Sequence, residues 1–311
     1  MQVADKRESH HAYRMQLTSS TSTAPEHSRT EPLRMRARDG RDLAARIFAP
    51  RSQARAAAVV LAGTAIPQGF YARFAAFLAE RDIAVLTFDY RGTGLSRTVP
   101  LREERATMSE WATLDVEAAL EALDARFSHV PRVAVAHSFG GQALGLARSA
   151  RRVVSRAVLV GSQSGFVGNW PRPQRLRNQL VFGAVMPAAA ATLGYWPADM
   201  GLGDGLPGGV MREWARWCRT PGYLAAFVPE SERFHAQLSI PLRSYRPLDD
   251  DYAPEAAVEE LLGWYTKAQI ERRVVAPREL GARAIGHYGL FRERVGGALW
   301  PEIAAFLRGE G

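Results

Sequence analysis

The sequence contains one cysteine, very little lysine and no long apolar run. The single thiol, Cys218, excludes an intramolecular disulfide framework and a zinc site built on several cysteines. The longest apolar stretch, residues 181–196, is interrupted by Pro187 and is too short to span a bilayer. Residues 1–30 lack the apolar segment of a secretory signal peptide and are interpreted as a disordered leader. We therefore expect a cytoplasmic protein without an integral membrane segment.

Basic side chains outnumber acidic ones by 40 to 32, which gives a net charge of +8, and only Lys6 and Lys267 are lysines. Such a balance can indicate binding to nucleic acid or an acidic membrane. The arginines are spread along the chain, however, and even the densest segments, residues 34–38, 148–156 and 172–177, form no block of like charge. The charge is typical of a solvated surface, and we expect no nucleic-acid partner. An alternative interpretation of the arginines between residues 172 and 219 is that they attract an anionic substrate.

Strands and helices alternate through the first half of the chain. A hairpin is predicted from residues 33–38 and 43–49 around Asp39-Gly40, and buried strands from residues 56–62, 83–88, 133–136 and 157–160. Helical spacing of apolar residues occurs at residues 71–81 and 108–127, and a further helix is predicted at 140–148. This rhythm predicts an α/β fold with a mostly parallel central sheet flanked by helices on both faces.

The alternation stops at Gly161. A segment rich in proline, glycine and tryptophan follows, and strands return only at residues 240–245 and 269–275, before a last helix at 299–307. We interpret the segment as a helical cap over the carboxyl edge of the sheet. The predicted divisions are a leader at 1–30, the first part of the core at 31–161, the cap at 162–236 and the second part of the core at 237–311.

The residues Val133 to Gln142, VAVAHSFGGQ, contain the strongest chemical signal. A buried strand leads directly into Ser138, and a helix begins directly after it. Ala136 and Gly140 are small enough to permit the sharp strained turn that presents a nucleophilic serine at a sheet edge. His137 also lies in this turn, and we expect its side chain to point away from the chemistry of Ser138.

This turn resembles the nucleophile elbow of the α/β-hydrolase superfamily, with Ala136 in place of the usual first glycine. The loop at residues 88–96, FDYRGTGLS, resembles a second superfamily motif, in which Asp89 and Arg91 are interpreted as structural. Three segments, residues 67–71, 79–92 and 285–292, narrow the resemblance to bacterial predicted hydrolases. This group is related to the serine-aminopeptidase-like and monoglyceride-lipase-like branch. The resemblance covers about residues 33–310 and implies the α/β-hydrolase fold.

The resemblance also implies the groups that stabilise an oxyanion. One donor is expected to be the backbone N–H of Phe139, the residue after the nucleophile. The second belongs to the loop after the first buried strand, where the usual His-Gly pair is absent. Thr64 and Ala65 are the candidates for this donor, and Ile66 is an alternative register.

The acid and the base of a catalytic triad are expected late in the chain. The superfamily places the acid about four residues before a proline, which favours Asp250, with Asp249 and Asp251 as alternatives. His287 is the one histidine that completes the order Ser, Asp, His. In this scheme Ser138 attacks an acyl carbonyl, His287 transfers the proton and Asp250 orients the imidazole.

These features predict a serine hydrolase, of the esterase or lipase type, that cleaves a carboxylic ester or thioester of a small or lipid-like acyl substrate. The proposed chemistry requires no metal, and we expect none. We also expect no cofactor, because the glycines near residue 93 lack the third glycine of a dinucleotide-binding motif. The alternatives are a non-hydrolytic acyltransferase, a peptidase with Glu213 or Glu232 as amine anchor, and a non-catalytic ligand-binding protein on the same scaffold. The acyl chain, the leaving group and the oligomeric state do not follow from the sequence.

Overall fold

The continuous apolar runs of the sequence become the centre of one eight-stranded sheet. The computed structural model describes residues 29–310. In chain order the strands are β1 Arg29–Arg36, β2 Asp42–Ala49, β3 Ala56–Leu61, β4 Ile83–Phe88, β5 Arg132–His137, β6 Val154–Val160, β7 Tyr195–Trp196, β8 Leu206–Pro207, β9 Pro241–Pro247 and β10 Gln269–Val275. The sheet has the order β1-β2-β4-β3-β5-β6-β9-β10, while β7 and β8 form a separate antiparallel pair.

The sheet is mostly parallel, and the predicted fold class is confirmed. Within this sheet, β1–β2 and β2–β4 pair antiparallel, whereas β4–β3, β3–β5, β5–β6, β6–β9 and β9–β10 pair parallel. Strands β3 and β4 are buried at every position, as expected for parallel strands covered on both faces. These central strands carry the core, and their carboxyl ends share one edge of the sheet.

The predicted leader needs one correction at its end. Residues 1–28 lie outside the described residues. Strand β1 begins at Arg29, two positions before the predicted boundary, because Arg29 and Thr30 continue the antiparallel ladder opposite Ala49 and Phe48. The hairpin turn itself is as predicted, and Gly40 adopts a φ of 86° there.

Helices cover both faces of the sheet. Their bounds are α1 Ala72–Ala79, α2 at residues 108–127, α3 Phe139–Leu144, α4 Ala150–Val153, α5 at residues 172–192, α6 Gly208–Arg219, α7 Glu255–Leu262, α8 Glu293–Gly296 and α9 Trp300–Arg308. Helix α2 contains a π-helical turn at Trp111–Asp115 and helix α5 one at Val181–Val185. The short helix α7, directly after Pro254, is a segment that the sequence analysis did not predict.

The helix after the nucleophile ends earlier than predicted. It stops at Leu144 instead of Arg148. Gly145 marks the end, where its carbonyl accepts a hydrogen bond from the N–H of Phe234 at 2.7 Å. A Cβ at Gly145 would lie 1.9 Å from the His235 ring, so this position requires glycine for close packing.

The long segment between β6 and β9 is inserted at the carboxyl edge of the sheet. We call residues 161–240 the insert. It contains helices α5 and α6 and the β7–β8 pair. Helix α6 packs against α5 and against the start of α2. Among residues 29–310, no helix has both the length and the apolar character needed to cross a membrane.

Asp89 and Arg91 have structural partners, as expected. The Asp89 carboxylate accepts hydrogen bonds from the N–H groups of Gln68 and Leu95 at 2.7 and 2.9 Å. Arg91 pairs with the buried carboxylate of Asp115 at 2.7 Å, which lies in the π-helical turn of α2. These contacts attach the glycine-containing loop to the turn before α1 and to α2, beside the carboxyl edge of the sheet.

Candidate active site

Ser138 lies at the junction between β5 and α3. Its backbone has φ 52° and ψ −115°, a conformation that non-glycine residues rarely adopt. The N–H of Ser138 donates to the carbonyl of Val160 at 3.0 Å, which ties the turn to the end of the neighbouring strand β6. This strained geometry is the one that the sequence analysis predicted for a nucleophile elbow.

Small residues around Ser138 allow strands and helix to approach closely. A Cβ at Gly140 would lie 2.2 Å from the carbonyl oxygen of Leu61, at the end of β3. A Cβ at Gly141 would lie 2.5 Å from the side chain of Ser162. Ala136, by contrast, lies in regular parallel pairing within β5, so an alanine fits where the superfamily pattern has glycine.

His287 and Asp250 are brought together by the loops that follow β10 and β9. Nδ1 of His287 lies 2.7 Å from Oδ2 of Asp250, and both side chains are buried. The second oxygen of Asp250 accepts a hydrogen bond from the N–H of Tyr252 at 2.8 Å. The carboxylate is therefore held at both oxygens, which fixes the orientation of the imidazole ring.

The two neighbours of Asp250 have other contacts. Asp249 accepts hydrogen bonds from the N–H groups of Ile285 and Gly286 at 2.9 and 3.2 Å. Asp251 is exposed, and its carbonyl accepts from the indole N–H of Trp170 at 2.9 Å. Among the three aspartates, the geometry therefore favours Asp250 as the partner of His287, while Asp249 holds the loop that carries this histidine.

The nucleophile and the Asp250–His287 pair lie beside the same residues. A Cβ at Gly161, which follows the Val160 partner of Ser138, would lie 3.0 Å from Oδ2 of Asp250 and 3.2 Å from Nδ1 of His287. The ring centroids of His137 and His287 are 4.8 Å apart. The structure thus brings the three predicted triad positions to one edge of the sheet.

The loop after β3 lies against the elbow. A Cβ at Gly63 would lie 3.2 Å from the Cβ of Ser138. The N–H of Ile66 donates to the Gly63 carbonyl at 3.2 Å, and Ala65 has a φ of 61°. Because the N–H of Ile66 is used within the turn, Thr64 and Ala65 remain the candidates for the second oxyanion donor. Phe139 opens helix α3, where first-turn N–H groups lack intrahelical acceptors.

A large cavity of about 890 Å³ opens above Ser138. Ser138, Phe139 and Thr64 are among the residues that line it. The walls come mainly from the insert and are mostly apolar and aromatic: Trp170, Val181, Phe182, Met186, Trp196 and Trp214. Arg177 is the cavity-lining member of the arginine group between residues 172 and 219.

Two glutamines at the cavity were not identified by the sequence analysis. Gln142 lies one helical turn after Ser138, and its amide donates to the carbonyl of Gln163 at 2.6 Å. Gln163 in turn donates to the carbonyl of Tyr252 at 3.1 Å. The spacing of four residues after Ser138 could have indicated Gln142, because positions i and i+4 share a helix face. Gln163 became apparent only from the tertiary structure.

Within residues 29–310, His, Cys, Asp and Glu side chains form no group of three that could hold a metal ion. Glu213 and Glu232, named above as residues that a peptidase could use to anchor an amine, do not line the cavity. Glu213 instead accepts hydrogen bonds from the backbone N–H and hydroxyl of Ser109 at 2.8 and 2.6 Å. Neither glutamate is therefore in a position to anchor a peptide amine in this cavity.

Comparison with protein families gives a match for residues 52–196, to the family described as serine aminopeptidase, S33. No curated protein matches the sequence. The family match supports a general role as a hydrolase.

Several solved structures have the same fold. A carboxyl esterase from Bacillus coagulans is 14% identical, with a TM-score of 0.61, over 90% of this chain and 98% of that chain. A soluble variant of monoglyceride lipase from Saccharomyces cerevisiae is 16% identical, with a TM-score of 0.61, over 93% and 99% of the two chains. Brefeldin A esterase, a bacterial homologue of human hormone-sensitive lipase, is 18% identical, with a TM-score of 0.62, over 97% and 83%. At these identities the likeness shows the fold, and the predicted resemblance is confirmed.

Proposed function

We propose that this α/β-hydrolase cleaves a carboxylic ester or thioester of a small or lipid-like acyl substrate through a Ser138–His287–Asp250 triad. The observation that carries the proposal is the 2.7 Å contact between His287 and Asp250, beside a strained Ser138 that lines a mostly apolar cavity. A nucleophile, a base and a group that orients the base are the parts that acyl transfer requires.

The proposed mechanism assigns one proton path. His287 accepts the hydroxyl proton of Ser138 while the serine oxygen attacks the acyl carbonyl. The N–H of Phe139, together with that of Thr64 or Ala65, stabilises the negative charge on the former carbonyl oxygen. His287 then gives the proton to the leaving group, and water hydrolyses the acyl-enzyme by the same path.

The cavity supports an apolar acyl group as substrate. Aromatic and aliphatic side chains dominate its walls, and apolar pockets with few polar groups are typical of sites for small molecules. We propose that residues 162–236, most of the insert, act as the cap that supplies these walls. An anionic substrate has less support. Of the arginines between residues 172 and 219, Arg177 alone lines the cavity, so the charge available to attract an anion there is small. Cytoplasmic location and the absence of a nucleic-acid partner stay predictions.

A fluorophosphonate probe tests the proposal directly. We expect one covalent adduct on the peptide that contains Ser138, and hydrolysis of p-nitrophenyl esters with a preference for apolar acyl groups between acetyl and dodecanoyl. Ser138→Ala is expected to lose both labelling and about 10⁵–10⁶-fold in kcat. Ser162→Ala is the matched control, because Ser162 is a buried serine near the elbow that bonds to the carbonyl of Ala136. Full activity in Ser138→Ala would overturn the proposal.

A peptidase is the second candidate. The matched family is described as serine aminopeptidase, and Asp199 and Asp251 supply exposed carboxylates to the cavity lining. A carboxylate there could anchor a free amine of a peptide. Aminoacyl p-nitroanilides separate the two candidates. Turnover of anilides that exceeds ester turnover, and that falls in Asp199→Asn or Asp251→Asn, would favour the peptidase over the esterase.

A further inference from the structure

Behind the triad, buried side chains connect the two loops that the mechanism uses. The N–H of Gly63 lies 3.0 Å from the hydroxyl oxygen of Tyr71. That hydroxyl lies 2.8 Å from Nδ1 of His137, and Nε2 of His137 lies 2.9 Å from the backbone carbonyl of His287. Tyr71 and His137 are completely buried. Contrary to the expectation from sequence, the His137 side chain is therefore not remote from the chemistry, but supports the residue that carries the base.

The hydrogen bonds in this chain have one consistent direction. A carbonyl oxygen only accepts a hydrogen bond. The proton of the neutral His137 ring therefore lies on Nε2, which donates to the backbone carbonyl of His287. Nδ1 then accepts the proton of the Tyr71 hydroxyl, whose oxygen accepts from Gly63. Burial lowers the pKa of His137 well below its ordinary value, with a further contribution from nearby His287, so the ring stays neutral. Each polar group in the chain thus has a partner, which buried groups require.

We propose that Tyr71 and His137 are positioning residues. They hold the loop that contains Gly63, Thr64 and Ala65 (the oxyanion loop) and the loop that carries His287 (the base loop) at fixed positions relative to Ser138. Gly63 begins the turn that contains Thr64 and Ala65, and His287 carries the imidazole. The Tyr71–His137 chain joins their backbones through rigid rings rather than through flexible side chains. This inference rests on the proposed function, because the effect is on the efficiency of that same site.

The aromatic surroundings support a fixed geometry. The Phe291 ring lies 4.9 Å from both the Tyr71 ring and the His137 ring, between centroids. Tyr288 contacts the His137 ring edge-on at 5.9 Å. Phe291 and Tyr288 follow His287 in sequence, so the packing holds the base loop against the same two side chains. Tyr71→Phe would keep this packing and remove only the hydroxyl.

The test compares Tyr71→Phe with Tyr245→Phe. Tyr245 is also buried, and its hydroxyl donates to Glu302 at 2.7 Å in another part of the fold. For Tyr71→Phe we expect kcat and the rate of fluorophosphonate labelling to fall by about 10–100-fold with KM changed less than about twofold, because small displacements of reacting groups are costly. Tyr245→Phe should leave both rates unchanged. A folded Tyr71→Phe with the kcat of the parent chain would overturn the proposal.

A second pair of variants covers a failure of Tyr71→Phe to fold. His137→Gln keeps an amide N–H that can reach the His287 carbonyl, whereas His137→Leu removes every donor. We expect His137→Gln to retain more kcat than His137→Leu at equal KM. Equal kcat for the two variants would contradict a role for the donor.

Hydrogen exchange separates this inference from the proposed function. Amide exchange in residues 62–71 and 283–291 should accelerate together in Tyr71→Phe and in neither segment of Tyr245→Phe. If the parent chain is inert towards the probe and towards esters, the proposed function fails. Hydrogen exchange alone then tests whether Tyr71 couples the two loops. Unchanged exchange in residues 283–291 of Tyr71→Phe would overturn the proposed coupling.

Discussion

The imidazole of His287 lies 2.7 Å from the carboxylate of Asp250, although 37 positions of sequence separate them. The adjacent Asp249 contacts the same loop differently, through the backbone N–H groups of Ile285 and Gly286. One aspartate therefore faces the imidazole ring, and the next holds the backbone that carries it. Substitution by asparagine distinguishes these roles, because asparagine keeps the shape of the side chain but loses the charge.

We expect Asp250→Asn to lower kcat by about 10⁴-fold with little change in the free energy of unfolding, because the imidazole loses its tautomer and its charge partner. Asp249→Asn should lower kcat far less and destabilise the fold by about 1–2 kcal/mol, since it weakens two hydrogen bonds to a charged acceptor. Ester turnover and urea unfolding measure both effects, with Glu230→Gln as the control, because Glu230 is exposed and does not line the cavity. A larger kcat loss in Asp249→Asn would reverse the assignment.

Gly161 and Gly281 provide a matched test of the space around the acid–base pair. Both have a left-handed backbone, with φ of 55° and 59°. A Cβ at Gly161 would press on Asp250 and His287 at 3.0 and 3.2 Å, whereas a Cβ at Gly281 would meet nothing within 4 Å. Alanine at either position should cost about 1–2 kcal/mol of stability from backbone strain. Only Gly161→Ala should also lose kcat, by about 10–100-fold. Similar kcat in the two variants would contradict the tight contact.

The contact between insert and oxyanion loop gives a second matched pair. Gly203 has a φ of 48°, and a Cβ there would lie 1.9 Å from the Ala65 carbonyl oxygen, while the next residue, Asp204, donates its N–H to that oxygen at 3.1 Å. Gly201 has a φ of 88° and open space around it. Gly203→Ala should displace the oxyanion loop and lower kcat by about 10–100-fold. Gly201→Ala should keep the kcat of the parent chain. Steady-state kinetics on one good ester suffices, and two equal kcat values would refute the coupling.

The stability of the fold should depend on His235 in acid. Burial lowers the pKa of His235 to about 3, and its Nε2–H donates to the carbonyl of Gln142 at 3.0 Å. Since the unfolded pKa is about 6.5, the unfolded chain takes up the proton first, and stability falls as pH drops from about 6.5 towards 3. Between about pH 7 and pH 5 this residue alone should cost about 2 kcal/mol.

His235→Gln removes the titrating group and keeps an amide N–H. Urea unfolding of both chains over this pH range checks the prediction. The free energy of unfolding of the parent chain, minus that of the variant, should fall by about 2 kcal/mol between pH 7 and about pH 5. Parallel pH profiles would show that His235 does not titrate across unfolding in this way.

Local pattern was sufficient for the strands and for the nucleophile. Residues 83–88 were predicted with the bounds that the structure has, because an apolar run and its flanking turns are local features. Residues 269–275 also have the predicted bounds, although four of the seven residues in QIERRVV are polar or charged. Ser138 follows from its strand, its small neighbours and the helix after it, all within ten residues. The geometry of this segment agrees with the prediction, while the catalytic role itself stays a proposal.

Features that depend on tertiary contact were not accessible in the same way. Three successive aspartates at 249–251 are the same residue type, and the preference for Asp250 came from the resemblance alone. The physical reason, the contact with His287, appears only in the tertiary structure. Helix α3 ends early at Gly145, where the His235 ring packs against the backbone. Local helix propensity gives no information about this contact, because His235 lies 90 positions later in the chain. His137 was misplaced for the same reason, since its two partners lie far away in the chain.

The hydrogen bond between His137 and the carbonyl of His287 spans 150 positions, and this separation has a consequence for the order of synthesis. A chain leaves the ribosome from its amino end, so the strand that ends at His137 exists long before residue 287 is made. Contacts between distant segments also form slowly, because a long loop must first be closed. Under the proposed mechanism, a nascent chain can therefore build much of its sheet while it is still chemically inert, and its reactivity begins only when the segment around His287 docks.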